Sequence, residues 1–164
     1  DRSVSRGLGD VYKRQTLCYI EHDGQYLMLH RIKKENDINE GKWIGVGGHA
    51  ENGESPEECL LREVKEETGL TLTSYRFRAL ITFISDKQEP ELMCLFTADE
   101  FSGKLITCNE GDLKWVDKTI VPTLPTWEGD AIFLKLLLEN EENFFTLKLV
   151  YEGESLVDQK LEIY

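Results

Sequence analysis

Positive charge is scarce in this chain: 19 Lys and Arg stand against 31 Asp and Glu, a formal net charge of −12 over 164 residues. So acidic a surface is repelled by nucleic-acid duplexes and by anionic membranes, and neither a nucleic-acid polymer nor a membrane is expected as partner. A phosphorylated small molecule stays open if a divalent metal supplies positive charge locally. Long apolar runs are also missing, since none approaches the roughly 18 residues that cross a bilayer. Cysteine is sparse and scattered: Cys18, Cys59, Cys94 and Cys108 form no CxxC pair. That spacing speaks against a disulfide framework or a zinc site, and predicts reduced, mostly buried thiols in a cytoplasmic protein. Internal repeats and low-complexity linkers are absent, and a monomer is expected.

What is present fits one α/β domain with a mixed sheet, the length and the 40% hydrophobic content being enough for a sizeable core. The first fifteen residues, "DRSVSRGLGDVYKRQ", carry four basic and two acidic side chains, which leaves −14 on the remainder. With no apolar h-region they are not a secretory signal. Residues 1–15 are expected to be a non-native or disordered leader, and 16–164 the domain. "TLCYIEHDGQYLMLHR" then reads as a hairpin turning at His22-Asp23-Gly24. "IKKENDINEG" is a polar loop, and "KWIGVGG" a short strand that runs into glycines. Strands are predicted at about 72–84, 91–97 and 112–116, an apolar helix at 129–140, and a closing hairpin that turns at Glu152-Gly153-Glu154.

The clearest helix covers residues 55–68. Ser55 suits its N-cap, Pro56 its first turn and Glu58 a capping box, while Gly69 suits a left-handed C-terminal residue. Within it "LLREVKEETGL" sets Glu63, Glu66 and Glu67 on one face, beside an apolar stripe of Leu60, Leu61 and Val64. Like charges at these spacings repel by a few tenths of a kcal/mol per pair, and a cation reverses the sign. Oxygen-only donors select a hard ion, Mg²⁺ or Mn²⁺. A solvated Glu-rich face is the competing reading of the helix alone.

The neighbouring residues change that balance. Gly48, Glu54, Arg62, Glu63, Val64, Glu66, Glu67, Gly69 and Leu70 occupy all nine constrained positions of G-x5-E-x7-R-E-U-x-E-E-x-G-U, where U is bulky and aliphatic. The chain therefore resembles the Nudix hydrolases, which release a nucleoside monophosphate part from a diphosphate linkage by attack of water on phosphorus. The resemblance covers residues 16–164 and implies an α/β/α sandwich with a loop–helix–loop catalytic motif. It assigns Glu63, Glu66 and Glu67 to the metal, with the Gly47 carbonyl as a further ligand and Arg62 paired to Glu54 as a brace. Glu110, outside the motif, corresponds to a glutamate that reaches the metal in MutT-like members, with an exposed loop acid as the other reading. The resemblance also implies that Gly48 and His49 border the phosphates; His22 and His30 are expected to be structural.

Beyond the motif, "EPELM" and "TWEGD" resemble the MutT-like branch that hydrolyses oxidised purine nucleotides such as 8-oxo-dGTP. The resemblance places the base pocket at Ile38, Ile44, Phe83, Met93, Trp127 and Asp130, with flat apolar walls and one carboxyl at the base edge. Two departures stand out: the vertebrate type has Asn where this chain has Ile44, and a second Asp where it has Gly129. Either the base is read differently, with Asn36 or Asn39 contributing, or specificity is broader. Hydrolysis of another substrate, a general nucleoside triphosphate or ADP-ribose, is the alternative within the family. A non-catalytic ligand sensor is the alternative outside it, opposed by the intact motif.

Overall fold

Turn chemistry and alternation build the sheet. The computed structural model describes residues 12–164, and β1 (Lys13–His22) and β2 (Gln25–His30) form the expected hairpin about Asp23-Gly24, both at positive φ. β3 (Trp43–Ile44), β4 (Thr71–Ser85), β5 (Glu91–Ser102), β6 (Asp112–Asp117), β7 (Phe145–Glu152) and β8 (Ser155–Ile163) complete it. The order is β3-β2-β1-β5-β4-β7-β8, with β6 on β2; β1–β5 and β4–β7 are parallel and the other pairs antiparallel. The sheet is thus mixed, as expected.

β1 begins three residues before Thr16. Lys13, Arg14 and Gln15 pair with Glu91, Leu92 and Met93 of β5, so the domain boundary drawn at residue 16 is too late. The polar, basic look of these residues reflects a strand end and not a separate leader. Residues 1–11 lie outside the described part. β5 runs on to Ser102, beyond the expected 97, because it continues to pair with β4 as far as Thr71.

Two helices cover the two faces. α1 (Pro56–Thr68) has the full capping box: the Ser55 hydroxyl accepts the Glu58 N–H at 3.1 Å and Glu58 accepts the Ser55 N–H at 2.9 Å. Gly69 ends it at φ 82°, its N–H donating to the Lys65 carbonyl. α2 (Asp130–Leu138) is the shorter helix. Strand alternation then separates two cores. Cys18 and Ile20 of β1 pack with Leu60 and Val64 of α1, while Tyr19 packs with Phe133, Leu134 and Leu137 of α2. Each fully buried side chain of this size contributes roughly 1.5–3 kcal/mol. The result is an α/β/α sandwich. Among the described residues no helix is long and apolar enough to cross a membrane. His22 lies against Phe101 and Trp115, and His30 stacks on Trp43 at 4.2 Å, both in structural settings.

Candidate active site

β1 and β2 diverge after their hairpin, and residues 45–49 run alongside β1. The Thr16 N–H donates to the Gly48 carbonyl and the Cys18 N–H to that of Val46. This holds the motif loop against the sheet and opens a cavity of about 350 Å³ between loop, strands and the residues preceding α2.

One end of the cavity is acidic. Glu63, Glu67 and Glu110 line it together with Gly47 and Gly48. Glu67 is buried, and its Oε1 accepts the Gly47 N–H at 2.9 Å. Burial, and then the charges of Glu110 and Glu63, push its pKa well above the usual carboxylate range. Arg62 grips Glu54 through two bonds of 2.6 and 2.9 Å, and this pairing holds Glu54 down to about 2. The same guanidinium reaches Glu63 at 2.7 Å, Glu66 at 3.1 Å and the His49 carbonyl at 3.0 Å. Arg62 therefore braces both loop and helix.

The three glutamates of the helix are not equivalent. Glu66 is 60% exposed in its side chain, pairs with Arg62 and is not among the residues lining the cavity. Among the described residues no three His, Cys, Asp or Glu side chains are already spaced to hold an ion. The donor set still fits a divalent ion: it is oxygen-only, and it includes a buried carboxylate whose neighbours are themselves acids. Glu63, Glu67, Glu110 and the Gly47 carbonyl are the groups that would hold it.

The other end is apolar with one carboxyl. Ile38, Ile44, Phe83, Met93 and Trp127 line it with Asp130. Trp127 is oriented by the bond from its Nε1 to Asn39 Oδ1 at 2.7 Å and by edge contacts with Phe83 and Tyr151. Asp130 is buried and accepts the Thr126 hydroxyl at 2.9 Å; burial lifts its pKa from 3.8 to about 7. Gly129 is closely packed: a Cβ there falls 2.6 Å from Leu149 Cδ1 and 2.7 Å from the Tyr151 hydroxyl. A side chain there requires the buried Leu149 and Tyr151 side chains to shift.

Asp130 gives a pH test. The unfolded chain releases this proton near 3.8 and the folded one near 7. The native state therefore binds more protons in that interval, and stability falls as pH rises through it and levels off above. Asp130→Asn is expected to flatten that decline and to be more stable than wild type at about pH 8 by a few kcal/mol. Thermal unfolding from about pH 4 to 8 checks this, and an unchanged slope overturns it.

Several lining residues escape a reading of the sequence. Arg31 is buried, bonding Asp37 at 2.7 Å and Glu110 at 3.0 Å, and so ties the loop after β2 to the acidic end. Gln15, Lys34 and Glu91 also face the cavity. A charged residue directly following "LMLH" is the only local signal for Arg31; Glu91 falls within "EPELM" without being singled out there, and Gln15 has no local signal. His49, expected at the phosphates, has its Nε2 3.0 Å from Glu91 Oε2.

Comparison with known proteins agrees with this geometry. The NUDIX domain model matches residues 11–137. An oxidized purine nucleoside triphosphate hydrolase of Danio rerio is 29% identical over 153 residues, covering 92% of this chain and 94% of that one. The Nudix hydrolase YvcI of Bacillus subtilis is 30% identical over 134 residues, 79% of this chain and 81% of that one. The crystal structure of a MutT protein from Bacillus halodurans superposes with a TM-score of 0.81 at 26% identity, covering 92% of this chain and 97% of that one. Motif, fold and cavity converge: the chain belongs to the Nudix family, as a MutT-like hydrolase.

Proposed function

We propose that this hydrolase cleaves oxidised purine nucleoside triphosphates to the monophosphate and pyrophosphate, with Mg²⁺ or Mn²⁺ at Glu63, Glu67, Glu110 and the Gly47 carbonyl, and Glu66 joining by rotation away from Arg62. The observation that carries the substrate is Asp130, a buried carboxyl between apolar walls that holds its proton to about pH 7. Such a group both donates and accepts, as the edge of an oxidised purine requires. The Danio rerio relative, named for oxidized purine nucleoside triphosphates, supports this reading.

A divalent ion held by Glu63, Glu67, Glu110 and the Gly47 carbonyl would supply positive charge to the phosphates and Lewis acidity toward water. The chain's own part is positioning. Phe83, Met93 and Trp127 sandwich the base, Arg31 and Lys34 add positive charge along the cavity, and Arg62 keeps the loop and helix at fixed spacing. Ile44 and Gly129 favour a second reading, a broader nucleoside triphosphatase with the base held by Asn39 and Asp130 alone. The protein is taken to act as a monomer, in the cytoplasm.

A Mg²⁺-dependent hydrolysis screen over dNTPs, 8-oxo-dGTP, 2-oxo-dATP and ADP-ribose separates these. An oxidised purine is expected to exceed its unmodified parent by tenfold or more in kcat/KM, roughly the value of one good buried hydrogen bond. Asp130→Ala is expected to erase that ratio. Equal rates for both, unchanged by Asp130→Ala, overturn the oxidised-purine reading.

A further inference from the structure

Midway along the cavity lies a cluster with no part in the scheme above. Glu91 is buried in the wall, accepting a hydrogen bond from Gln15 Nε2 on Oε1 and facing His49 Nε2 at 3.0 Å with Oε2. Strand pairing locates it. Gln15 lies beside Met93 across β1–β5 and opposite His49 across an isolated bridge, and Glu91 lies opposite Phe83 across β4–β5. The walls assigned to the base therefore flank the cluster on one side. On the other is Gly48, packed against the Glu63 carboxylate.

A carboxylate buried in such a wall is costly, and one kept only for the fold is better replaced by an apolar side chain or matched by Arg or Lys. Here its partners are an amide and an imidazole. Most of the capacity they leave over is of one kind. In the tautomer that gives Nε2–H to Glu91, Nδ1 is an acceptor. The Gln15 amide gives one N–H to Glu91 and keeps a second N–H to donate and a carbonyl oxygen to accept, and the carboxylate has lone pairs to spare. Acceptors of this kind repel phosphate oxygens and base carbonyls and take O–H donors. In a nucleotide, the part between base and phosphate that offers O–H donors is the sugar.

We propose that Gln15, His49 and Glu91 form a subsite for the sugar hydroxyls of the substrate. The proposal rests on the nucleotide reading above, and it moves His49 from the phosphates to the sugar. Gln15 and Glu91 then join the binding machinery although neither belongs to the motif.

Binding of the product, which needs no turnover, tests this. Guanosine 5′-monophosphate and its 2′-deoxy and 2′,3′-dideoxy forms are titrated against the protein by calorimetry. Removing both hydroxyls is expected to weaken wild-type binding about tenfold or more. In Gln15→Ala and Glu91→Gln the three ligands are expected to bind within about threefold of one another, the dideoxy form as in wild type. Thermal unfolding of both variants identifies any loss of fold, and Gln15→Ala, at a half-buried strand end, carries the test if Glu91→Gln does not fold. If the three ligands bind wild type alike, or the graded series survives in folded variants, the sugar subsite is wrong and the nucleotide reading stands. If none binds, and no triphosphate is hydrolysed, both fall.

Discussion

Glu67→Gln is expected to lower turnover by about 10³-fold while leaving the metal-free protein at least as heat-stable as wild type. The amide preserves shape, and its carbonyl can keep the bond from the Gly47 N–H that Glu67 Oε1 now accepts at 2.9 Å. What it removes is charge. Glu67 is buried, with Glu110 and Glu63 opposing its ionisation, so its carboxylate is a burden on the fold unless a cation offsets it. Loss of activity together with unchanged or improved stability is the signature of a functional charge held against the preference of the fold. Steady-state kinetics in Mg²⁺ and Mn²⁺, with thermal unfolding in chelator, measure both sides. A variant that keeps more than about a tenth of the turnover removes Glu67 from the reacting centre, which must then be built around Glu63 and Glu66.

The same helix shows how far local pattern reaches. Its caps, length and apolar stripe were legible because each depends on residues within four positions. A helical wheel also sets Glu66 and Glu67 on one face, but cannot say which of the two is turned inward. That depends on how Leu60 and Val64 seat on the sheet, and the outcome buries Glu67 and leaves Glu66 in solvent. That Phe83, Met93 and Trp127 line one cavity was legible only by resemblance, since an apolar side chain at any of the three can also serve the core. Asn39, named as one of two candidates, does reach the pocket through Trp127. Arg31, Gln15 and Glu91 were out of reach for another reason. The contacts that place them in the cavity span distant parts of the chain, Arg31 reaching Glu110 and Gln15 meeting Glu91 through the parallel pairing of β1 with β5. The unusual composition of the first fifteen residues hid Gln15 further, because a strand end and a disordered arm share polar residues.

The two glycines at the start of the motif loop separate fold from chemistry, and their alanine variants are expected to fail in different ways. Gly47 has φ 149°, and a Cβ there falls 2.1 Å from the Thr16 carbonyl oxygen and 2.8 Å from its carbon, both backbone atoms of β1. The loop cannot withdraw without losing the bonds that tie Val46 and Gly48 to β1 at 2.7 and 2.9 Å. Gly47→Ala is therefore expected to cost ~3 kcal/mol or more, a fall in Tm of about 6–12 °C. The atoms nearest a Cβ at Gly48 all belong to the Glu63 side chain, Oε1 at 2.3 Å, and that side chain can rotate aside. Gly48→Ala is expected to melt within a few degrees of wild type and to lose roughly 10²-fold in turnover, because the displaced group is a carboxylate of the acidic end. Calorimetry and kinetics on the pair decide the matter. If Gly48→Ala melts as early as Gly47→Ala, the Glu63 side chain is held as rigidly as backbone, and its bond to Arg62 is then what fixes it. If instead Gly48→Ala keeps full turnover, the Glu63 carboxylate tolerates displacement that a ligand of the reacting metal does not.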